Sequence, residues 1–192
     1  MKFEKVTYEE FARSLKNMNH FGFAGDDDIR ALYDEIKLPE RSTSGSAGYD
    51  FFSPISAVLA SFRATLEQCR DDFTEEMYDV VNLKRDEVII PTGIRAQIDP
   101  HWVLILAPRS GQGFNYGVAL ANTIGVIDED YYNNEKNEGH IMVKLTSTST
   151  EFDDLYIDKG KAFCQGIFLP YGLTDDDKAT AKRTGGLGST GV

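Results

Sequence analysis

The sequence of 192 residues predicts a mainly β protein with added helices. Several short segments are rich in β-branched and aromatic residues, among them EVIIPTGIRAQI (87–98), WVLILAP (102–108) and AFCQGIFLPY (162–171). Gly, Pro, Asn and Asp separate these segments, as is typical of strands joined by tight turns. Hydrophobic residues make up 41% of the chain, which is enough to build a core. Many short strands of this kind favour an antiparallel barrel or jelly roll.

Residues 1–37 are predicted to form a helical N-terminal extension. Thr7 followed by Glu10 predicts a capping box, in which each side chain accepts a hydrogen bond from the other residue's backbone N–H. The apolar residues that follow recur at helical spacing: Tyr8, Phe11, Ala12, Leu15 and Met18. A second short helix is predicted after Asp28, with one apolar face formed by Ile29, Leu32, Tyr33 and Ile36.

A third helix is predicted from Pro54 to Cys69, inside a helical insertion that spans residues 54–74. Ser53 can cap this helix and Pro54 suits its first turn. Its apolar side would consist of Ile55, Val58, Leu59, Phe62 and Leu66. The β domain is predicted to extend over residues 38–181.

Residues 182–192 are predicted to form a flexible, glycine-rich C-terminal tail. The tail contains four glycines and almost no apolar side chains, so it cannot build a core of its own. Such a segment is typical of a mobile flap or of a disordered end.

The charge balance argues against nucleic acid as a partner. The formal net charge is −11, from 31 acidic and 20 basic residues, and a polyanion would be repelled by that average field. No apolar run approaches the roughly 18 residues that span a bilayer, and the N-terminus lacks the apolar stretch of a signal peptide. We therefore expect a cytoplasmic protein. The three histidines lack the spacing of zinc ligands.

Five short stretches carry the residues suited to chemistry. Each one alone has a structural explanation as a turn, a strand entry or a hairpin tip. The stretches lie at 46–50 (SAGYD), 108–111 (PRSG), 125–131 (GVIDEDY), 160–165 (GKAFCQ) and 183–191 (RTGGLGSTG). Together they offer an arginine fork for phosphate oxygens, carboxylates that can orient a water, and glycines that bring backbone amides close.

In order and spelling, these stretches resemble the five motifs of the trimeric dUTPase family (deoxyuridine 5'-triphosphate nucleotidohydrolases). The resemblance covers residues 38–192 and is strongest at GVIDEDY and GGLGSTG. It implies a distorted jelly-roll β-barrel assembled as a homotrimer, with active sites at the subunit interfaces. The implied activity is hydrolysis of dUTP to dUMP and pyrophosphate, which limits uracil in DNA and supplies dUMP for thymidylate synthesis.

The resemblance also implies roles for individual residues. Asp128 matches the catalytic carboxylate, which positions and activates the water that attacks the α-phosphorus. Arg183 matches an arginine of the tail that reaches the phosphates, and Asp50 matches an acid that supports the metal and phosphate end of the site. The implied phosphate contacts are Arg109, Ser110, Gly111, Gln165, Ser189 and Thr190.

A second set of residues is implied to bind uracil and deoxyribose. It consists of Asn122, Gly125, Ile127, Tyr131 and Leu187. In the family, backbone amides and carbonyls of this hairpin read the edge of the base, and the tyrosine packs on the sugar where a ribose hydroxyl would intrude. A base with the wrong donor pattern would leave buried polar groups unpaired.

The implied cofactor is Mg²⁺. This ion keeps several waters and binds through substrate phosphates with at most one or two carboxylates. We therefore expect no direct protein ligand, with Asp50 as a carboxylate that contacts the ion through water.

The chain departs from the family pattern at four places. Lys161 and Ala162 stand where an acid and an arginine are usual, and Leu187 stands where a phenylalanine usually stacks on uracil. Residues 133–138 lengthen the loop after Tyr131, and residues 54–74 lengthen the link after the first motif. Surface decoration explains the added segments most simply, and a surface for a protein partner is the second interpretation.

Two other functions stay open at the level of the sequence. A dCTP deaminase shares the implied fold, but GVIDEDY and PRSG favour the hydrolase. A nucleotide-sensing binding protein would keep the fold without the chemistry, and the joint presence of Asp128, Arg109 and Arg183 argues against that loss.

Overall fold

The computed structural model describes residues 1–18, 25–59, 87–147, 154–183 and 185–186. Within these ranges the protein is mainly β, as predicted, with few helices. The helices are α1 (Tyr8–Lys16), α2 (Asp26–Asp34), α3 (Ser110–Tyr116) and a 3₁₀ helix (Glu129–Tyr131). The strands are β1 (Lys2–Lys5), β2 (Tyr49–Phe52), β3 (Ala57–Leu59), β4 (Glu87–Pro91), β5 (Ile94–Gln97), β6 (Trp102–Pro108), β7 (Val118–Leu120), β8 (Gly125–Ile127), β9 (Met142–Ser147), β10 (Leu155–Ile157) and β11 (Ala162–Pro170).

All the described strands pair in antiparallel fashion, as the short strands and turns of the sequence predict. The largest sheet has the order β2–β11–β6–β8, and a second sheet has the order β4–β9–β7. Two further pairs join β1 to β5 and β3 to β10. These four sheets do not pair into one closed barrel within the described ranges.

One hydrophobic core joins the sheets to the N-terminal elements. Phe11 and Leu15 of α1 and Ile29 of α2 are fully buried together with apolar residues of β4, β5 and β6. The close approach of β2 to β11 depends on Gly166, where a Cβ would lie 2.8 Å from the Phe51 ring. The N-terminal helices therefore contribute directly to the core that supports the sheets. None of the described helices has the length and apolar composition needed to cross a membrane.

The N-terminal segment confirms two predicted helices and corrects two details. Thr7 caps α1, because its side chain accepts a hydrogen bond from the Glu10 backbone N–H at 3.3 Å. The reciprocal half of the predicted capping box is wrong: the Thr7 N–H donates to Glu138 Oε2 at 2.9 Å. The predicted helical extension also contains a strand that was not expected, since residues 2–5 form β1 and pair with β5.

The third predicted helix is wrong in the part that the structure describes. Ala57–Leu59 is strand β3, and Val58 lies opposite Tyr156 of β10. The Ser53 hydroxyl donates to the Ile55 carbonyl at 2.6 Å and so stabilises a turn, without capping a helix. Apolar residues at 55, 58 and 59 fit a helical face, but pairing with β10 satisfies the backbone of this segment in an extended form. Residues 60–86, which include the remainder of the predicted helix, lie outside the described residues.

Candidate active site

Asp50, Arg109 and Gln165 meet at one end of the largest sheet. Gln165 on β11 lies opposite Asp50 on β2 and opposite Ala107 on β6. Arg109 Nε lies 3.2 Å from Asp50 Oδ1, and Gln165 Nε2 donates to the Pro108 carbonyl at 3.2 Å. The structure therefore brings together three of the predicted site residues, which we call the phosphate cluster.

The Arg109 guanidinium is oriented but still open to solvent. Its side chain is 43% exposed, Nη1 donates to the Ala162 carbonyl at 3.4 Å, and Asp50 holds the Nε edge. Nη2 has no partner among the described residues. A fixed guanidinium with free donors suits the oxygens of a phosphate group.

Glycine at position 48 leaves room for the end of the Gln165 side chain. A Cβ at Gly48 would lie 2.6 Å from Gln165 Oε1, which is closer than real Cβ contacts. The glycine of the first motif therefore admits the Gln165 side chain beside Asp50.

Ser110 and Gly111 open the short helix α3 beside this cluster. Arg109 is the residue before the helix, and its carbonyl accepts hydrogen bonds from the N–H groups of Gln112 and Gly113 at 3.1 and 2.9 Å. Ser110 and Gly111 are both exposed, and a Cβ at Gly111 would meet nothing within 4 Å. The sequence indicated a turn here, and the helix was not expected.

A second group of residues lies where β8 ends, and we call it the hairpin cluster. Asp128 follows β8 directly and precedes the 3₁₀ helix. Arg183 Nη2 pairs with Asp128 Oδ2, and Arg183 Nε donates to Asp130 Oδ1 at 2.8 Å. The hydrogen bond to Asp130 outweighs the opposing effect of burial and raises the pKa of Arg183. The fifth motif thus reaches the third motif within one chain.

Tyr131 forms the buried floor of the hairpin cluster. Its hydroxyl donates to the His140 carbonyl at 3.1 Å and accepts from Asn137 Nδ2 at 2.7 Å. The Arg183 guanidinium carbon lies 5.6 Å from the centre of the ring, and burial raises the pKa of the phenol. These contacts fix the ring, which stays neutral.

The predicted uracil-binding segment is a turn followed by a strand. Asn122 is exposed in the turn, and its carbonyl accepts from the Ile124 N–H at 2.7 Å. Gly125 lies opposite Leu106, where a Cβ would approach the Leu106 Cβ to 2.9 Å. The Ile127 side chain is buried in the core, so this residue can offer a ligand only its backbone.

The two clusters lie at opposite ends of the β6–β8 pair. Ile127 is paired with Leu104, so Asp128 continues toward Val103, whereas Arg109 follows the far end of β6. Arg109 lies six residue steps along the chain from Val103, which is about 20 Å in an extended strand. No hydrogen bond or ion pair joins the clusters in the part of the chain that the structure describes. Leu187, Ser189 and Thr190 lie outside that part.

Sequence reasoning missed several residues of the hairpin cluster. Asp130 was present in the GVIDEDY stretch but received no role, although it shares Arg183 with Asp128. Asn134 and Asn137 belong to the loop extension, where asparagine indicates turns and predicts no contact with a distant segment. Asn134 Nδ2 nevertheless donates to the Gly185 carbonyl at 3.0 Å.

The residues present fit a magnesium ion that is carried by substrate. No group of three or more His, Cys, Asp or Glu side chains is placed to hold a metal among the residues described. Arg109 engages Oδ1 of Asp50, so the other carboxylate oxygen could accept hydrogen bonds from the waters around an ion.

Comparisons with known proteins show the family of this chain. The family model described as dUTPase matches residues 74–191. The deoxyuridine 5'-triphosphate nucleotidohydrolase of Lactococcus lactis subsp. lactis (strain IL1403) is 36% identical over 160 residues, covering 82% of this chain and 89% of the relative. The fold and the two clusters define a protein built for nucleotide phosphate chemistry. The chain belongs to the dUTPase family.

Solved structures of dUTPases share the fold. The crystal structure of the dUTPase from Streptococcus mutans has a TM-score of 0.59 at 26% identity, covering 91% of this chain and 99% of that one. A mutant dUTPase from phage phi11 of S. aureus, described with a structural Mg(II) ion, has a TM-score of 0.52 at 18% identity and covers 78% and 94%. The second likeness concerns the fold alone.

Proposed function

We propose that this member of the dUTPase family hydrolyses dUTP to dUMP and pyrophosphate by water attack on the α-phosphorus. The observation that carries the proposal is the pairing of Asp128 with Arg183, which joins the third motif to the fifth. This reaction needs two groups: a carboxylate that accepts a proton from water, and an arginine that binds the negative charge developing on the phosphate.

Asp128 is the proposed general base. Its side chain is 47% exposed, and only Oδ2 is engaged by Arg183. Oδ1 has no partner within the described ranges and is therefore available to accept a hydrogen bond from a water molecule. An oriented carboxylate beside the scissile bond removes the proton of that water as the new P–O bond forms.

Arg109, Ser110, Gly111 and Gln165 are the proposed contacts of the phosphate chain. Asp50 supports this role by holding the Nε edge of Arg109, so that Nη2 remains available to a phosphate oxygen. Ser189 and Thr190 complete the phosphate contacts in the proposal. Bound Mg²⁺ would gather the charge of the phosphate oxygens, with Asp50 in contact through water.

Uracil and deoxyribose are proposed to bind along residues 122–131. Gly125 and Ile127 offer backbone groups on β8, and Asn122 lies in the turn before that strand. The fixed Tyr131 ring would pack on the deoxyribose and exclude a 2'-hydroxyl. Leu187 would cover the base without aromatic stacking.

A homotrimer is proposed as the active form. The separation of about 20 Å between the phosphate cluster and the hairpin cluster supports this proposal, because one copy cannot close both around a single triphosphate. Arg109 of one copy would face Asp128 of another, as in cyclic oligomers with shared sites. Closure of the strands into a distorted jelly-roll barrel belongs to the same proposal.

The division of the chain into segments and its cellular location are also proposals. It comprises an N-terminal extension at 1–37, a β domain at 38–181 with an insertion at 54–74, a tail at 182–192, and a cytoplasmic location. The burial of α1 and α2 in the common core favours a stabilising role for the extension over a separate protein-binding role.

The test is release of pyrophosphate in the presence of Mg²⁺, with dUTP, dTTP, dCTP and UTP assayed in parallel. We expect turnover of dUTP alone. Release of ammonia from dCTP without pyrophosphate would identify a deaminase, and binding of dUTP without turnover would identify a nucleotide sensor.

A further inference from the structure

Asn134, in the loop extension at residues 133–138, lies between the hairpin cluster and the tail. Its side chain is almost fully buried, with 7% of the residue exposed. Asn134 Nδ2 donates to the Gly185 carbonyl at 3.0 Å, and Asn134 Oδ1 accepts from the Lys136 N–H at 3.0 Å. One amide therefore shapes the loop and holds the chain two residues beyond Arg183.

The neighbouring Asn137 also lies against the tail. A Cβ at Gly186 would lie 3.4 Å from Asn137 Nδ2, so the tail runs directly against the loop. The same Nδ2 donates to the Tyr131 hydroxyl, which connects the loop to the floor of the hairpin cluster. Gly185 is buried in this position.

The loop is itself held by α1 and β5. Glu138 accepts hydrogen bonds from Thr7 at the start of α1, and Arg95 Nη1 donates to Asn133 Oδ1 at 2.8 Å. Arg13 donates to the Lys136 carbonyl. Anchored at both ends, the loop is a fixed support against which the tail can bind at a small cost in ordering.

We propose that Asn134 is a positioning residue that anchors the tail at Gly185 and thereby holds Arg183 against Asp128 and Asp130. Gly185 is the second residue after Arg183, so the anchor limits how far the guanidinium can move away from the hairpin cluster. The effect on dUTP turnover rests on the proposed function, whereas the anchoring of the tail does not.

The test compares Asn134→Asp with Lys136→Gln. The first change keeps an acceptor for the Lys136 N–H but replaces the donor to Gly185 with an oxygen. The second alters an exposed side chain with no contact among the described residues and changes the net charge by the same amount. Asn134→Ala is a second variant, which removes the donor without adding charge.

The first readout is cleavage after Arg183 by an arginine-specific protease, followed by the mass of the released C-terminal peptide, without nucleotide. Loss of one hydrogen bond predicts cleavage about five- to tenfold faster in both Asn134 variants. Lys136→Gln is expected to be cleaved at the wild-type rate. Wild-type protection in both Asn134 variants would overturn the proposal.

The second readout is the steady-state kinetics of dUTP hydrolysis with Mg²⁺. We expect kcat to fall about five- to tenfold in the Asn134 variants, with a smaller change in KM. Lys136→Gln is expected to keep the kcat and the KM of the wild type. Faster cleavage with unchanged kcat would overturn the positioning role. A wild-type protein that does not hydrolyse dUTP, yet shows the expected cleavage pattern, would overturn the proposed function and leave the anchor intact.

Discussion

The backbone N–H of Gly93 donates a hydrogen bond to Nε2 of His140 at 2.9 Å, in the buried interior of the protein. Because a backbone N–H can only donate, Nε2 must accept and Nδ1 must carry the ring proton. Nδ1 faces Glu10 Oε1 at 3.2 Å and Ser14 Oγ at 3.1 Å. A neutral imidazole therefore connects α1 to the β structure, one residue after Gly139 and the loop extension.

Replacement of His140 by alanine is expected to destabilise the protein by about 2–4 kcal/mol. The change leaves the Gly93 N–H and part of the Glu10 carboxylate unpaired in a buried place. Urea unfolding, followed by circular dichroism, measures the effect. His101→Asn is the control, because His101 is exposed and asparagine tolerates its φ of 65°. Equal stability of His140→Ala and the wild type would show that this contact contributes nothing.

Glu10 is expected to make stability sensitive to acid. Burial alone would raise the pKa of this carboxyl, but hydrogen bonds from His140, Arg13 and Ser14 outweigh burial and lower the pKa below its usual value. The stabilisation is therefore complete above the pKa of the unfolded chain, about 4.3, and is lost as the pH falls through the lower folded pKa.

Glu10→Gln tests this linkage. At pH 7 the variant is expected to be less stable than the wild type, and the difference is expected to shrink as the pH is lowered below about 4.3. Unfolding free energies measured from pH 3 to pH 7 give the comparison. Glu9→Gln removes an exposed carboxylate one residue earlier and is the control. A difference that stays constant over the whole range contradicts the assignment.

The N-terminal elements show what the sequence could predict and what it could not. Thr7 and the stripe through Phe11 and Leu15 predicted α1 correctly, since capping and periodicity are local signals. The partner of the Thr7 N–H is Glu138, which is 131 residues away, and no local pattern could indicate it. β1 was missed because KFEK gives only a short alternation, and its pairing with β5 decides its structure.

The site residues and strand β3 also differ in how far the sequence could predict them. The resemblance placed Arg109 and Gln165 among the phosphate contacts and Asp50 as an acid that supports the same end of the site, and the structure brings these three together. Val58 and Leu59 fitted a helical face, yet they belong to β3, because the choice between strand and helix depended on β10. Asn134 carried only the signal of a turn, since its contact with the tail is a property of the assembled fold.

Replacement of Asp128 by asparagine is expected to lower kcat for dUTP by a factor of about 10² to 10⁴, which is the range for loss of a general base. The amide keeps the size of the side chain and cannot accept the proton of the attacking water. Equilibrium binding of dUTP is expected to remain close to that of the wild type. Asp130→Asn is the matched variant, and we expect a smaller loss because Asp130 acts only on Arg183. Unchanged turnover in Asp128→Asn would remove this residue from the mechanism.

Arg109→Lys is expected to raise KM for dUTP about tenfold or more, because lysine cannot bind Asp50 and a phosphate oxygen with one planar group. Steady-state kinetics over a range of dUTP concentrations give the measurement. Arg41→Lys is the control: this arginine is exposed and donates to backbone carbonyls of its own loop. A similar KM in both variants would show that Arg109 does not bind the phosphates.

The placement of Arg109 and Asp128 at opposite ends of the β6–β8 pair has a genetic consequence. If each site takes its phosphate cluster from one copy and its hairpin cluster from another, two defective forms of the chain can complement each other. An equal, random mixture of Arg109→Ala and Asp128→Asn subunits would contain about one quarter fully intact sites, although neither form alone contains any. A cell carrying both alleles would recover part of the activity that each single allele lacks.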